Sequence, residues 1–275
     1  MPELPEVETT VRGLRPVLEG RRIASIEARR PDLRRALPAD LRQRMTGARV
    51  TAIRRRAKYG LIDTDRGDTM VFHLGMSGHW RIDPAELGPH DHLVIDTDAG
   101  DEGGGRRIAL NDARRFGLVD MVPTDALAGW PGIAALGPEP LGPDFDAKAL
   151  GLRLEGRKAP IKAMLMDQRI VAGLGNIYVC EALNLARISP ARVARKISRA
   201  RLETLVAAVR DVLQAAIAAG GSTLRDFKAP DGTLGDFPAQ YRVYARAGKP
   251  CPCGGIVRRR ADGGRSTFYC PRCQR

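Results

Sequence analysis

Four cysteines near the C-terminus have the residue type and spacing of metal ligands. They form two pairs separated by sixteen residues, Cys251-Pro-Cys253 and Cys270-Pro-Arg-Cys273. Two pairs at that separation can bring four thiolates to one tetrahedral zinc ion across a β-hairpin, and Gly-Gly dipeptides supply the turns. Because the first pair is C-x-C, where zinc knuckles usually have C-x₂-C, four unrelated thiols remain the alternative.

The N-terminus is the second place where residue types suggest chemistry. If Met1 is removed, Pro2 presents a free secondary amine at the start of a helix. Much of an α-amine is neutral at cellular pH, and the neutral form is a nucleophile. Glu3 beside it could act as a general acid or base. Taken alone, a Pro-Glu start is more often only a helix beginning.

Three glycine-flanked loops carry residues suited to nucleic acid. His73-Leu-Gly-Met76-Ser-Gly78 follows a predicted strand, and Arg114 and Phe116 share a second loop. An apolar ring beside a cation is typical of proteins that fill a disturbed base stack. Gly173-Leu-Gly-Asn176 offers backbone N–H groups to a phosphate at a helix N-terminus. Each loop alone also fits an ordinary connection.

Two further features have less specific readings. His90-Asp91-His92 suggests metal ligands, but no second cluster completes such a site, so hydrogen bonding or phosphate contact is preferred. Cys180 lies among apolar neighbours in a predicted helix and is expected to be an inert core thiol.

The chain is strongly basic, with 275 residues, 45 Lys+Arg against 32 Asp+Glu and a formal net charge of +13. The commonest partner of such a field is nucleic acid, although charge alone also allows a basic surface without a partner. No apolar run reaches the roughly 18 residues of a membrane helix, and the N-terminus is acidic where a signal peptide is basic. We therefore expect a cytoplasmic monomer without membrane contact.

The elements that must position these residues change character along the chain. Residues 5–19 predict a helix, and short apolar runs from Arg22 to about Val122 predict an antiparallel sandwich or barrel. The second half predicts helices over 159–166, 176–186 and 198–219. The fold class is therefore multidomain α+β, with a β-sandwich flanked by helices and a terminal β-hairpin. Predicted boundaries are 1–130 for the sandwich, 131–148 for a Gly- and Pro-rich linker, 149–238 for a helical domain and 239–275 for a zinc finger.

Several motifs occur together in one family. They are Met1-Pro-Glu-Leu-Pro-Glu-Val-Glu8, Arg55-Arg-Ala-Lys58-Tyr59, His73-Leu-Gly-Met-Ser-Gly78, His90-Asp-His92, Asp112-Ala-Arg-Arg-Phe-Gly117, Gly173-Leu-Gly-Asn-Ile-Tyr178 and the terminal cysteines. With these motifs in order, the chain resembles the bacterial formamidopyrimidine-DNA glycosylases, the 8-oxoguanine repair enzymes, over essentially its whole length. The resemblance implies that 149–238 is a helix-two-turn-helix DNA-binding domain.

The resemblance also implies catalytic roles for matching residues. Pro2 would attack C1′ of the damaged nucleotide and form a Schiff base, and Glu3 would donate the proton for base release. Lys58 would serve β-elimination and phosphate binding. Arg265, in the finger, would serve δ-elimination and phosphate binding. The implied activity is excision of 8-oxoguanine and formamidopyrimidines followed by β,δ-elimination at the abasic site.

Further residues match DNA-binding positions of the family. Those matching DNA or phosphate contacts are His73, His90, Arg114, Arg157, Asn176 and Tyr244. Met76, Arg114 and Phe116 look like the trio that fills the gap left by the everted base. The loop from Gly221 through Ser222, Thr223 and Leu224 to about Ala229 resembles the one that closes over that base. The implied partner is damaged double-stranded DNA at the bacterial nucleoid, and the implied cofactor is one structural zinc bound by Cys251, Cys253, Cys270 and Cys273.

Two other functions remain open from the sequence. An endonuclease VIII type enzyme uses the same N-terminal proline on oxidised pyrimidines, although Leu4-Pro5-Glu6 and the gap-filling trio favour the purine enzyme. A non-catalytic zinc-finger DNA-binding protein explains the charge and the finger but gives Pro2 and Glu3 no role. The chain departs from the family at Ala113, where a Pro is frequent, and in the short Cys251-x-Cys253 pair.

Overall fold

The chain folds into two compact units. Residues 1–134 and 219–236 form the first unit, and residues 135–218 and 237–275 form the second. The computed structural model describes residues 1–99, 103–223 and 227–275. Within those ranges, no helix is both long and apolar enough to cross a membrane.

The first unit starts with helix α1, Leu4–Leu18. Pro5 suits a first helical turn, where a missing N–H costs nothing, and the carboxylate of Glu6 accepts a hydrogen bond from the Glu3 N–H at 2.8 Å. Apolar residues three and four positions apart form one buried face of the helix. They are Leu4, Val7, Val11, Leu14 and Leu18.

Two four-stranded antiparallel sheets form the body of this unit. The strands are β1 Ile23–Ala28, β2 Val50–Arg56, β3 Tyr59–Thr64, β4 Asp68–His73, β5 His79–Ile82, β6 Asp91–Thr97, β7 Arg107–Asn111 and β8 Leu118–Pro123. The first sheet has the order β1-β6-β7-β5 and the second the order β2-β3-β4-β8. Helices α2, Leu41–Met45, and α3, Pro131–Ala134, complete it with a 3-10 helix over Thr124–Gly129. The predicted antiparallel β domain is confirmed.

The core of the first unit lies between α1 and both sheets. Trp80 and Phe72 are fully buried there and meet edge to face with ring centroids 5.4 Å apart. Gly60 on β3 lies beneath the Phe72 ring, and a Cβ at this position would come within 2.0 Å of it. The aromatic pair therefore requires glycine directly after Tyr59 and two residues after Lys58.

Segment 219–236 joins the first unit, whereas the sequence boundaries had placed it inside the helical domain 149–238. The Ser222 N–H donates to Glu6 Oε1 at 2.7 Å, and the Ile82 N–H donates to the Pro230 carbonyl at 3.0 Å. Residues 131–134 of the predicted linker also belong to the first unit. These long-range hydrogen bonds, rather than local composition, set the boundary.

The second unit is helical and ends in a hairpin. Its helices are α4 Ala147–Leu154, α5 Ile161–Met166, α6 Asn176–Leu185 and α7 Arg199–Ala218, with 3-10 helices at Ala194–Lys196 and Phe237–Gln240. Strands β9, Arg258–Asp262, and β10, Arg265–Tyr269, pair antiparallel. Gly263 and Gly264 both have positive φ, +55° and +76°, as the tightest hairpin turns require. The predicted helices and terminal hairpin are confirmed.

Candidate active site and DNA-binding residues

The candidate nucleophile and acid lie at the start of α1. Pro2 and Glu3 are buried, and Glu3 is only 4% exposed, whereas Met1 is 51% exposed. Removal of Met1 would therefore uncover an amine whose neighbour is already held in the fold.

Glu6 fixes this end of the helix through hydrogen bonds that its place in the motif Leu4-Pro5-Glu6 does not reveal. One carboxylate oxygen accepts the Glu3 N–H and the other accepts the Ser222 N–H. Gly221 has φ +84°, and a Cβ on it would lie 3.0 Å from Glu6 Oε1. One buried carboxylate thus joins the segment that carries Pro2 and Glu3 to the start of the candidate base-binding loop.

The candidate base-binding loop is described in part. Ser222 is buried, and the Thr223 hydroxyl donates to the Phe227 carbonyl at 3.1 Å and accepts from the Gly235 N–H at 2.9 Å. Leu224 lies outside the described residues. The described residues therefore anchor both ends of this loop within the first unit.

Lys58 occupies the tight turn between β2 and β3. Arg56 pairs with Tyr59, so Ala57 and Lys58 form a two-residue connection in which Ala57 has φ +53°. A non-glycine residue in that region costs roughly 1–3 kcal/mol, which the surrounding structure must supply. Lys58 is 7% exposed although it sits at a hairpin tip, which is unusual for a lysine.

An ion pair connects this turn to α1. The Arg55 guanidinium donates to Glu8 Oε2 at 2.8 Å and to the Ala57 carbonyl at 3.1 Å. Burial acts to raise the pKa of Glu8, but hydrogen bonds from Arg55 and Arg12 outweigh it and lower that pKa. Because both Arg55 and Glu8 are largely buried, the pair fixes the Lys58 turn relative to α1, the helix that directly follows Pro2 and Glu3.

The surroundings of His73 keep its imidazole ring neutral, so that one ring N–H can donate a hydrogen bond. Burial, together with the nearby charges of Lys58 and Arg34, lowers the pKa of His73 to about 4. The Gly75 N–H donates to His73 Nδ1 at 3.0 Å, so the ring proton resides on Nε2. At neutral pH His73 can therefore donate to a phosphate without competing for charge with Lys58.

A cavity of about 410 Å³ in the first unit opens beside His73 and Phe116. The Tyr59 ring lies between those of His73 and Trp130, with centroids 5.1 and 5.3 Å away, and Arg34 and Arg35 add two cations. Rings and guanidinium groups together suit bases and phosphates rather than an apolar ligand.

The two loops of the predicted gap-filling trio are joined by Asp112 and Ser77. The Ser77 hydroxyl donates to Asp112 Oδ1 at 2.6 Å and accepts the Arg114 N–H at 3.1 Å. The Gly117 N–H donates to Asp112 Oδ2 at 2.7 Å. Asp112 is fully buried, so these bonds hold a loop in which Ala113 replaces the frequent proline. Sequence reasoning missed both residues because buried Ser–Asp pairs have no local signature.

The three trio residues project from those loops. Met76 is 37% and Phe116 45% exposed, which places them among the few large apolar side chains at the surface. The Arg114 guanidinium lies 4.9 Å from the Phe116 ring centroid, a cation–π arrangement. Gly75 permits the loops to meet, since a Cβ on it would come within 2.3 Å of the Phe116 carbonyl carbon.

Within the segment His90–His92, the first residue is exposed and the other two are buried. His90 is exposed, as a DNA contact requires, whereas His92 is buried with Nε2 3.0 Å from the Asp112 carbonyl. Asp91 is buried against Arg81. Among the described residues, the ligand cluster suited to a metal is that of the cysteines, and it does not include this segment.

In the second unit, Asn176 and Arg265 are linked through the hairpin. The Asn176 amide donates to the Ser266 carbonyl at 2.9 Å, next to the exposed Arg265. Lys162 on α5 donates to the Thr267 hydroxyl at 2.6 Å. Burial lowers the pKa of Lys162. These bonds fix the strand that presents Arg265, and sequence reasoning did not identify Lys162.

The remaining candidate contacts of this unit have different surroundings. Arg157 is exposed in the turn after α4. Tyr244 packs its ring against Phe268 and Tyr241, with centroids 5.0 and 5.5 Å away, and its N–H donates to Glu181 at 2.7 Å. Arg157 can therefore adapt to a phosphate, whereas Tyr244 is held in place.

The four predicted cysteine ligands converge. All four sulfurs lie within 4.8 Å of one another, with Cys251–Cys273 at 3.9 Å and Cys253–Cys270 at 3.5 Å. A zinc–sulfur distance of ~2.3 Å places tetrahedral sulfurs about 3.8 Å apart, whereas a disulfide would bring two of them to about 2 Å. The donors present therefore fit one structural zinc and no disulfide.

The shortened Cys-x-Cys loop closes around its glycines. Gly254 adopts φ +78°, and its N–H donates to the Cys251 carbonyl at 2.8 Å. The Gly255 N–H donates to Cys253 Sγ at 3.4 Å and lowers the pKa of that thiol to about 7. A Cβ on Gly255 would lie 2.7 Å from Cys270 Sγ. The turn formed by Gly254 and Gly255 therefore compensates for the shorter spacing between Cys251 and Cys253, and both sulfurs still lie beside those of Cys270 and Cys273.

Comparison with known proteins agrees along the whole chain. Residues 1–119 match the model of the formamidopyrimidine-DNA glycosylase N-terminal domain, 136–228 that of its H2TH domain, and 248–275 that of the zinc finger found in FPG and IleRS. The formamidopyrimidine-DNA glycosylases of Rhizorhabdus wittichii and Novosphingobium aromaticivorans are 66% and 62% identical over 275 residues, covering 100% of both chains.

Solved structures show the same fold. The Thermus thermophilus MutM (Fpg) protein superposes with a TM-score of 0.87 at 39% identity, covering 99% of this chain and 98% of that one. A Lactococcus lactis Fpg mutant in complex with Fapy-dG-containing DNA superposes with a TM-score of 0.90 at 33% identity, covering 100% of both chains. The chain therefore belongs to the formamidopyrimidine-DNA glycosylase family, whose members are bifunctional DNA glycosylases and abasic-site lyases of base-excision repair and carry a structural zinc finger.

Proposed function

We propose that this protein excises oxidised purines, 8-oxoguanine and formamidopyrimidines, from double-stranded DNA and then cuts the abasic site. The observation that carries the proposal is the fixed helix start, where Glu6 holds Glu3 and Ser222 and thereby brings an acid, an N-terminal amine and a base-binding loop together. A base within a duplex cannot be reached, so the enzyme must evert it and hold the stack open. Met76, Arg114 and Phe116 are the residues we assign to that task.

The chemistry follows from the two N-terminal residues. The Pro2 nitrogen attacks C1′ as the bond to the base breaks, and Glu3 delivers a proton to the departing base. The nitrogen loses its own proton, the C1′–O4′ bond breaks and O4′ takes up a proton, so that the sugar ring opens and an iminium forms between the nitrogen and C1′. That iminium acidifies the hydrogen on C2′, whose removal expels the 3′ phosphate; a second elimination expels the 5′ phosphate.

The remaining assignments follow from charge and exposure. Lys58 and Arg265 neutralise phosphates that leave in β- and δ-elimination, while His73, His90, Arg157, Asn176 and Tyr244 bind the backbone. The net charge of +13 suits a long DNA contact. We place the protein in the bacterial cytoplasm, at the nucleoid, as a monomer.

Borohydride trapping tests the nucleophile and the lyase together. Incubation with a duplex containing 8-oxoguanine opposite cytosine should give a stable protein–DNA adduct, because borohydride reduces the iminium. A parallel thymine-glycol duplex tests the endonuclease VIII alternative, and faster trapping on that duplex would reverse the assignment. Absence of any adduct, with Met1 removed and DNA binding intact, would support a non-catalytic DNA-binding protein.

Replacing the nucleophile should separate binding from chemistry. We expect Pro2→Gly to keep DNA affinity and to lose most base excision and strand cutting, since only the attacking amine changes. Gel-shift affinity and single-turnover cleavage of an 8-oxoguanine duplex measure the two effects, after mass spectrometry confirms removal of Met1. Activity equal to that of the unaltered protein would remove Pro2 from the mechanism.

Replacing the acid should separate the two reactions. We expect Glu3→Gln to slow base removal by roughly 10²–10⁴-fold, the range for a general acid, yet to cut a preformed abasic site at nearly the original rate. Single-turnover assays on 8-oxoguanine and on abasic duplexes give both rates. Equal losses on both substrates would instead show that Glu3 organises the amine.

The exposed ring should matter for damage recognition. We expect Phe116→Ala to weaken binding to damaged duplex more than to undamaged duplex, because base stacking contributes ~1–3 kcal/mol while phosphate contacts remain. Arg114→Ala should weaken both, since it also removes a charge. Fluorescence anisotropy with matched duplexes measures the four affinities, and identical behaviour of the two variants would contradict the wedge role of Phe116.

The metal should hold the finger that carries Arg265. A finger of about 25 residues has too little core to fold alone, so its structure depends on the metal. We expect about one zinc per chain after purification without chelator, and Cys270→Ser should lose both the metal and most DNA affinity. Elemental analysis and anisotropy test this, with Cys180→Ser as the matched control that retains zinc. Metal-free protein with full affinity would show that packing alone folds the finger.

A further inference from the structure

The side-chain amide of Asn184 lies against the sulfurs of the zinc site. Asn184 is in the third turn of α6 and is 1% exposed. Its Nδ2 is 3.7 Å from Cys251 Sγ and 3.8 Å from Cys273 Sγ, and 3.0 Å from Gln274 Oε1. An amide so placed contacts two of the four cysteine ligands at once.

The neighbours of Asn184 decide which end of the amide faces the sulfurs. Arg242 Nε lies 3.0 Å from Asn184 Oδ1, and an arginine side chain has donors and no acceptor. The oxygen must therefore face Arg242, which leaves the NH₂ group towards Cys251 and Cys273. One amide hydrogen serves Gln274 Oε1 and the other is shared between the two sulfurs.

The network continues to a third ligand. Gln274 Oε1 also accepts the Cys270 N–H at 2.7 Å, and its amide donates to the Ile188 carbonyl at 2.9 Å. The Gln274 oxygen is thus fixed by two donors, which in turn fixes the rotation of the Asn184 amide. Every polar atom of the Asn184 side chain has a partner, as a buried amide requires.

The charge of the site explains why donors are needed there. Four thiolates around one Zn²⁺ carry a net charge of −2, and Cys251 and Cys270 are buried, where unpaired charge is costly. N–H groups that donate to metal-bound sulfur spread this charge and orient the ligands. Gly255 supplies one such donor, to Cys253.

We propose that Asn184 is a positioning residue of the zinc site, whose N–H group donates to the Cys251 and Cys273 thiolates and slows loss of the metal. It also joins the metal to the rest of the second unit. Glu181, one turn earlier on α6, accepts the N–H groups of Arg242, Val243 and Tyr244, just before the finger. One face of α6 therefore holds both the approach to the finger and two of its ligands. The inference concerns metal retention and does not depend on the proposed reaction.

Asn184→Leu tests this role, because leucine has the same branched shape and donates no hydrogen bond. We expect zinc transfer to an excess of chromogenic chelator to be roughly 10- to 100-fold faster than in the unaltered protein, the range for loss of a group that supports metal ligands. In cobalt-substituted protein, the sulfur-to-metal charge-transfer band should also shift.

Thr69→Val is the matched control, since it removes a buried hydroxyl that donates to Asp63 in the first unit without changing volume. It should lower the melting temperature and leave zinc release unchanged. If Asn184→Leu behaves as Thr69→Val does, with an unchanged rate of zinc release and an unchanged cobalt spectrum, then Asn184 contributes only to packing and the proposal is wrong.

A measurement on the unaltered sequence covers the case in which Asn184→Leu does not fold. In cadmium-substituted, nitrogen-labelled protein, a hydrogen bond to metal-bound sulfur transmits scalar coupling between the metal nucleus and the donor proton. We expect such coupling at the Asn184 side-chain protons and at the Gly255 N–H. Coupling at Gly255 without coupling at Asn184 would overturn the proposal.

Discussion

The arrangement of the first unit depends on the hydrogen bonds that the buried carboxylate of Glu6 accepts. Burial of an ionised carboxylate costs several kcal/mol unless hydrogen bonds satisfy its oxygens. Here one oxygen accepts the N–H of Glu3 and the other that of Ser222, 216 residues away in sequence. The bonds that make the charge tolerable therefore fix the N-terminal residues and recruit segment 219–236. Pro2, the nucleophile we propose, needs such an anchor, because chain ends otherwise fray.

Helix α6 has the corresponding role in the second unit. Burial raises the pKa of Glu181, although three backbone N–H groups oppose this. Asn176 at the start of the helix binds the hairpin backbone, and Asn184 near its end contacts the cysteines. Three polar residues of one helix thus position the finger along its length. A small hairpin that cannot form its own core obtains its position from the helix and its rigidity from the metal.

The elements that could be predicted from sequence are those with local signals. α1 has one apolar face and a proline at its start, and the finger has cysteine pairs and glycine turns. β5 has only four residues and one fully buried side chain, Trp80, so no alternation marks it. The return of 219–236 to the first unit depends on Glu6 and on Ile82, and no pattern within 219–236 points to either. Asn184 gave no signal for the same reason, because its sulfur partners are 67 and 89 residues away.

In the described part of the chain, some positively charged side chains form ion pairs within the fold and others are exposed and form none. Many arginines are neutralised within the fold, as Arg44 is by Asp68 and Arg54 by Asp63. Among the described residues, Arg114, Arg157 and Arg265 form no such ion pair and are exposed, so their charge remains available to phosphate. His73 adds a donor without charge, because its pKa is about 4. Counterion release on DNA binding scales with the cations that contact phosphate, so it depends on this unpaired set rather than on the total of 45 Lys+Arg.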